Sequence, residues 1–164
     1  MPPVEQVTGS HVKTQELALT SPTVEKILVM DDDDALRRLI DISLSALGYE
    51  VLCVQDGTAA IAAYELAKAL EEPLSAIILD LQIKGGMGGE ETIAHLRADD
   101  PEIKAIVCSA ADHHPVMQNY EAYGFAARLA KPFRRAELQA LLQRVIAPPS
   151  QATVHATGVA LAHT

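Results

Sequence analysis

The residues of this chain that could do chemistry are a run of four acids and three later polar side chains, each directly after a short apolar run. The acids are the Asp residues at 31–34, and the later residues are Asp80, Ser109 and Lys131, which is followed by Pro132. Carboxylates brought together repel one another, and a divalent cation relieves that repulsion. Mg²⁺ suits such a group because it prefers oxygen ligands, usually one or two carboxylates with phosphate oxygens and water. A lysine and a hydroxyl opposite the ion would complete a cradle for a phosphoryl group.

These side chains can meet only if the apolar runs before them are strands of one sheet. Runs that are apolar on both faces suit parallel strands covered by helices on both sides. Five such strands are expected: Lys26–Met30, Glu50–Val54, Ala76–Asp80, 103–109 and 125–130. The stretches between and after them predict helices over 35–47, 58–71, 89–97, 115–123 and 134–146.

The alternation predicts an α/β fold, a doubly wound five-stranded parallel sheet in the order 2-1-3-4-5 flanked by five helices. Ligands bind such sheets outside the carboxyl ends of the strands, at the switch point between strands 1 and 3. Each candidate also has an ordinary interpretation: Asp33 or Asp34 can cap the next helix, and a lone strand-end acid, hydroxyl or Lys-Pro turn means little. Their coincidence at successive strand ends favours a site.

Two details of packing follow from this fold. The first helix should have one apolar face made of four residues: Leu36, Leu39, Ile40 and Leu44. Cys53 and Cys108 lie inside apolar runs and are expected to be small buried side chains. With strands 2 and 4 three places apart, the two thiols would be roughly 14 Å apart, which is too far for a disulfide.

Composition narrows the function classes. The formal net charge of -9 argues against non-specific binding to DNA or to an anionic membrane. No apolar stretch approaches the ~20 residues of a membrane span, and the N-terminus lacks the apolar core of a signal peptide. A reducing, cytoplasmic setting is expected. Residues 1–24 are expected to form a flexible arm or linker, 25–146 the folded domain and 147–164 a flexible tail.

Four motifs in order, ILVMDDDDALRRLI, AIILDLQIKGGMGGEE, AIVCSA and LAKPF, resemble the receiver domain of bacterial two-component response regulators. The resemblance covers about 26–146 and implies the flavodoxin-like receiver fold. The GGMGG loop with HPVMQNYEAYGF is similar to receivers at the C-terminal end of hybrid sensor histidine kinases. A stand-alone receiver and the end of such a kinase are both open.

The resemblance implies a phosphorelay role for the acids. Asp80 would accept a phosphoryl group from a phosphohistidine on a sensor histidine kinase or a histidine phosphotransfer protein. Asp32 and Asp80 would bind Mg²⁺ directly, Asp31 mainly through water, and the backbone carbonyl of Gln82 would be a further ligand.

The other motif residues also receive roles from the resemblance. Ser109 would bond the phosphoryl group and move toward it on activation, and Lys131 would pair with the phosphoryl oxygens. Pro132 would follow Lys131 through a cis peptide bond. Gln82 and Ala111 stand where receivers tune the lifetime of the phosphorylated state, and neither is acidic.

Two departures from the family pattern stand out. Lys84 stands where receivers usually have proline, in a loop that is about one residue longer. Arg128 stands three residues before the lysine, where many receivers have a Tyr or Phe that swings inward when the Ser or Thr moves. Burying a guanidinium would cost far more than burying an aromatic ring, so this departure bears on the aromatic half of the usual switch and not on the phosphorylation chemistry.

The resemblance also implies partners. The surface of the fourth helix, fifth strand and fifth helix would dock a downstream protein or a second copy of the chain, without direct nucleic-acid binding or membrane insertion. The chain would not be an enzyme beyond its own phosphoryl transfer and slow self-dephosphorylation. A phosphorylation-independent pseudo-receiver acting as an interaction module is the alternative. A Mg²⁺-dependent aspartyl phosphatase is disfavoured, because Gln82 stands where those enzymes carry a second Asp.

Overall fold

Five parallel strands form one sheet in the order β2-β1-β3-β4-β5 in the computed structural model, which describes residues 23–147. The strands are β1 (Lys26–Met30), β2 (Glu50–Val54), β3 (Ala76–Asp80), β4 (Ala105–Ser109) and β5 (Ala127–Ala130). The helices are α1 (Asp34–Ser45), α2 (Gly57–Ala69), α3 (Gly89–Asp99), α4 (Pro115–Gln118) and α5 (Arg135–Ile146), with a 3₁₀ helix at Tyr120–Tyr123. The predicted fold class and strand order are confirmed. The expected arm and tail lie outside the described residues, except for positions 23, 24 and 147.

The central strands divide the core into two layers because successive side chains of a strand point to opposite faces. Leu28 and Met30 of β1 face the layer that contains residues of α2, α3 and α4. Ile27 and Val29 face the layer that contains residues of α1 and α5. Every residue of β3 and of β4 is buried, so the two strands that end in Asp80 and Ser109 are covered on both faces.

The edge strands are less covered than their apolar sequences suggested. In β5, the exposed Arg128 and Ala130 alternate with the buried Ala127 and Leu129, and no residue of β2 is fully buried. The expectation that Cys53 is buried is therefore wrong: it is exposed at the edge, while Cys108 on the central β4 is buried. Both are free thiols, as their separation across the sheet predicted.

One of the four residues expected on the buried face of α1, Leu39, is exposed instead. Leu39 is 58% exposed and Ile42 is 69% exposed, whereas Ile40 and Leu44 are buried against the sheet. Adjacent helical residues point about 100° apart, so Leu39 cannot share the inward direction of Ile40. The prediction that Leu39 packs with the buried face is wrong. It lies instead with Ala35 and Ile42 in an exposed apolar stripe.

The predicted fourth helix, 115–123, is split. The α-helical part ends at Gln118, because the φ of -138° and ψ of 53° at Asn119 are not helical. A 3₁₀ turn follows and closes at Gly124, which has a φ of +91° that side-chain-bearing residues rarely adopt. Asn has a lower helix propensity than most residues, which favours a break at this position but only weakly. Elsewhere the observed bounds differ from expectation by one or two residues at the ends of elements. Among residues 23–147, no helix is both long and apolar enough to cross a membrane.

Candidate functional site

Three acids meet at the carboxyl edge of the sheet. β1 and β3 are parallel neighbours, and Met30 pairs with Leu79. The next residues along the two strands, Asp31 and Asp80, therefore lie side by side. Carboxylate oxygens of Asp31, Asp32 and Asp80 lie within 4.8 Å of one another. Asp31 is 2% exposed and Asp80 is 5% exposed, while Asp32 faces solvent. Within residues 23–147 no other group of three His, Cys, Asp or Glu side chains is arranged in this way.

Each of the three carboxylates accepts a backbone N–H. Asp31 Oδ1 accepts from Asp33 at 2.9 Å, and Asp80 Oδ1 accepts from Gln82 at 3.3 Å. Asp32 Oδ2 accepts from Lys84, across the site, at 3.2 Å. These amides hold the carboxylates in place, so the acids need little rearrangement to bind a cation.

Lys131 supplies the positive charge of the site. Its Nζ lies 2.7 Å from Asp31 Oδ2 and 3.2 Å from Asp80 Oδ2. The backbone helps to place it there, because the Lys131 N–H donates to the Ser109 carbonyl at 2.9 Å. The peptide bond from Lys131 to Pro132 is cis, as the resemblance implied. Burial works to lower the pKa of Lys131, but its hydrogen bond to Asp31 and the charge of Asp80 outweigh burial and raise it.

Burial raises the pKa of Asp80, whereas on Lys131 burial acts to lower the pKa. Removal from water raises the pKa of this carboxyl above its ordinary value, and the neighbouring charge of Asp31 adds to the rise. The charge of Lys131 and the Gln82 amide oppose it without cancelling it. A divalent cation at the three acids would relieve the same repulsion, so the donor set fits a hard, oxygen-liganded ion such as Mg²⁺.

Ser109 lies at the end of β4, one strand from Asp80. It is buried, and its Oγ accepts the Ala111 N–H at 3.0 Å, which links it to the loop that leads into α4. A hydroxyl that accepts one bond can still donate its own hydrogen. The register pairs Ser109 with Ala130, directly before Lys131, so the hydroxyl and the ammonium sit on adjacent strand ends.

Arg128 lies on the exposed side of β5 and reaches α4. Its guanidinium donates to the Met117 carbonyl at 3.0 Å. α4 ends at Gln118, so this carbonyl is one of those that the helix itself leaves without an N–H partner. The side chain therefore stays at the surface and caps the end of α4.

Sequence reasoning missed one basic residue near the site. Arg37 is nearly buried on α1 and donates to the Asp31 backbone carbonyl at 2.5 Å, and it also pairs with Asp34. The Asp34 and Arg37 spacing of three residues is a signal for such a pair on one helix face. Asp33, one of the two residues expected to cap α1, does so by accepting the Ala35 and Leu36 N–H groups.

A doubly wound parallel domain with acids at its switch point and a lysine across from them has the architecture of a signalling receiver. The family model described as the response regulator receiver domain matches residues 27–143, and the chain belongs to that family.

Individual relatives agree with this assignment. The probable transcriptional regulator ycf27 of Porphyridium aerugineum is 28% identical over 122 residues, which are 74% of this chain and 48% of that protein. The chain thus spans about half the length of the first curated relatives that it matches. Sporulation initiation phosphotransferase F of Bacillus subtilis is 26% identical over 74% of this chain and 94% of its own length. The solved receiver domain of sensor histidine kinase PA1611 from Pseudomonas aeruginosa is 30% identical, with a TM-score of 0.66, covering 75% of this chain and 98% of that one. That structure has a magnesium ion coordinated in its active site cleft.

Proposed function

We propose that this chain is a phospho-accepting receiver in a two-component phosphorelay. Asp80 takes a phosphoryl group from a phosphohistidine in the presence of Mg²⁺, and a docking partner reads the change. The observation that supports this most is the convergence of Asp31, Asp32 and Asp80 within 4.8 Å, with Lys131 in contact with two of them. A cytoplasmic location belongs to the same proposal.

The chemistry needs no separate base. A carboxylate oxygen of Asp80 attacks phosphorus, a P–O bond forms, the P–N bond of the phosphohistidine breaks, and the imidazole nitrogen keeps the electron pair. Mg²⁺ bound by Asp32, Asp80 and the Gln82 carbonyl, with Asp31 acting through water, would supply positive charge against the transferring group. Lys131 pairs with its oxygens and Ser109 donates a hydrogen bond to it, so positioning and charge neutralisation carry the transfer.

The proposed outcome is a stored signal rather than turnover. A water that attacks the aspartyl phosphate would need a group to orient it, and the side chains of Gln82 and Ala111 offer no carboxylate for that task. We propose that the receiver catalyses its own phosphorylation and only slow dephosphorylation.

The phosphodonor is a histidine kinase or a histidine phosphotransfer protein. It must approach Asp80 past α1, whose exposed apolar stripe runs from Ala35 in the first turn to Leu39 and Ile42 further along the helix. An exposed apolar stripe of this kind favours contact with a partner. The face of α4, β5 and α5 is the proposed docking surface for the downstream protein or a second copy of the chain.

The proposed switch connects Ser109 to Arg128. Movement of Ser109 toward the phosphoryl group would draw on Ala111 and the loop before α4, because the Ala111 N–H is bonded to the Ser109 hydroxyl. Arg128 holds the other end of α4 through the Met117 carbonyl. We propose that this hydrogen bond takes the place of an aromatic side chain as the coupling between α4 and β5.

Phosphorylation is tested by incubating the protein with acetyl phosphate and Mg²⁺ and measuring the mass of the intact chain by mass spectrometry. Wild type should gain one phosphoryl group, and Asp80→Asn should gain none. Asp112→Asn is the matched control, since Asp112 is an exposed acid in the loop after β4 and should leave uptake unchanged. Absence of uptake by wild type, or equal uptake by Asp80→Asn, would refute the proposal.

A second experiment separates the proposal from a phosphorylation-independent pseudo-receiver. Beryllofluoride with Mg²⁺ mimics a phosphoryl group, and its binding can be followed in amide spectra. The proposal expects Mg²⁺-dependent binding with changes at Ser109, Met117 and Arg128. No binding, with the docking surface unchanged, would favour the pseudo-receiver instead.

A further inference from the structure

The loop between β3 and α3 is folded tightly against its own start. A side chain on Gly88 would come within 2.4 Å of the Leu81 carbonyl oxygen, and one on Gly89 within 2.8 Å of the Asp80 carbonyl oxygen. At the far side, the Met87 carbonyl accepts the Gly57 N–H of α2 at 2.9 Å. These contacts fix residues 81–88 on both sides, so the backbone N–H groups of the loop have defined directions.

One of these N–H groups reaches the metal-site acid that lies on another element. Lys84 N–H donates to Asp32 Oδ2 at 3.2 Å. The buried acids Asp31 and Asp80 are also held by Lys131, but within residues 23–147 the Lys84 amide is the donor found for the exposed Asp32 carboxylate. The direction of Asp32 therefore depends on the loop.

We propose that the backbone N–H of Lys84 is a positioning group for the divalent cation. It turns Asp32 toward Asp31 and Asp80, leaves Oδ1 for the ion, and fixes Asp32 relative to the loop that carries the Gln82 carbonyl. The inference rests on the proposed function in taking these acids as Mg²⁺ ligands. It requires an N–H at position 84 and no particular side chain, so every residue except proline satisfies it.

Two substitutions at one position separate the amide from the side chain. Lys84→Pro removes the N–H, while Lys84→Ala keeps it and removes only the ammonium group. Mg²⁺ dissociation constants come from titrations followed by amide chemical shifts. A hydrogen bond to a charged group contributes enough for about a tenfold loss of affinity in Lys84→Pro. Lys84→Ala should stay within about twofold of wild type, because an exposed side chain contributes little.

Hydrogen exchange tests the same contact without proline. In the wild-type protein the Lys84 amide should exchange more slowly than the amides of Gly85 and Gly86, which follow it in the same loop. Asp32→Ala removes the acceptor and should bring Lys84 to the rate of those neighbours. This comparison decides the matter if Lys84→Pro does not fold.

The outcomes distinguish the inference from the proposed function. If wild type binds no Mg²⁺, the proposed function fails at its metal site. If wild type binds Mg²⁺ and a folded Lys84→Pro binds it equally well, the positioning role is wrong while the site stands. Equal weakening in Lys84→Ala, or a Lys84 amide that exchanges as fast in wild type as in Asp32→Ala, also overturns it.

Discussion

Replacing Lys131 by Met should destabilise the metal-free protein and increase its response to Mg²⁺. Lys131 Nζ lies 2.7 Å from Asp31 and 3.2 Å from Asp80, two carboxylates that are almost inaccessible to solvent. Methionine keeps much of the length of the side chain and removes its charge. Two buried carboxylates then face each other with no ammonium group between them.

The structure sets the size of the loss. Removing one partner of a buried ion pair costs about 3–5 kcal/mol. The Lys131 side chain is 19% exposed, so water already screens part of the interaction, and about 3 kcal/mol at neutral pH is the expected value. Lys131 also competes with Mg²⁺ for the same oxygens, so the variant should bind the ion more tightly. A tenfold gain in affinity would return about 1.4 kcal/mol under saturating Mg²⁺.

Urea denaturation of wild type and Lys131→Met, in EDTA and in saturating Mg²⁺, measures both effects. Lys104→Met is the matched control, because Lys104 Nζ bonds only the Ile146 carbonyl among its described contacts and lies away from the acids. Its loss should be the same in both buffers. Lys131→Met as stable as wild type in EDTA, or a loss that Mg²⁺ leaves unchanged, would refute the electrostatic reasoning.

Three further predictions test burial and protonation. The pKa of the Asp80 carboxyl is raised, so its contribution to stability is full below the ordinary aspartate pKa of 3.8 and is lost as pH rises through the folded-state pKa. Urea denaturation of the metal-free protein should therefore show Asp80→Asn to be more stable than wild type at pH 7 but not near pH 4. Burial, together with the hydrogen bond to Asp100, raises the pKa of Tyr64 to about 12, so Tyr64→Phe should remove a step near pH 12 from an absorbance titration and cost about 1 kcal/mol. Burial also raises the pKa of Cys108 to about 12, so a thiol reagent should modify Cys53 in the folded protein and reach Cys108 only on unfolding, and equal rates would contradict the burial described above.

The central fold could be predicted from the sequence because the apolar runs and the residues that end them indicate the same strands. The first three strands run between the predicted bounds, since each apolar run is bracketed by polar or turn-forming residues. Exposure at the edges was not readable in the same way. An apolar run such as that around Cys53 looks alike whether its strand is central or at an edge, and only the tertiary arrangement decides how much of it is covered.

Two predictions about the helices were wrong, because the local sequence sets neither which face of a helix packs on the sheet nor where the helix breaks. The outward turn of Leu39 depends on which side of α1 the sheet occupies, and the leucines of the helix cover more than one face. The break at Asn119 depends on a single backbone conformation. Propensity disfavours Asn in a helix only weakly, so the pattern through Tyr123 suggested one continuous helix.

At the site, the convergence of the acids and Lys131 could be predicted because a parallel sheet brings strand ends to one edge. The backbone N–H groups that bond the acids could not be predicted, because any residue except proline supplies an N–H. The contact between the Lys84 amide and Asp32 has no signature beyond the absence of proline at that position. The cap that Arg128 gives α4 was also hidden, since it depends on where the helix ends.

The division of charge among the three acids suggests how a cation would enter the proposed site. Lys131 contacts the two buried acids, so these are already compensated before an ion arrives. Asp32 faces solvent, and the donor found for it among residues 23–147 is the uncharged Lys84 amide. A hydrated ion therefore meets an exposed, uncompensated carboxylate first, at little desolvation cost. Asp32→Asn should then lower the association rate as well as the affinity for Mg²⁺, whereas Asp31→Asn, behind Lys131, should act mainly on dissociation. Stopped-flow titration of both variants measures the two rates, and equal effects on association would show that the ion does not enter through Asp32.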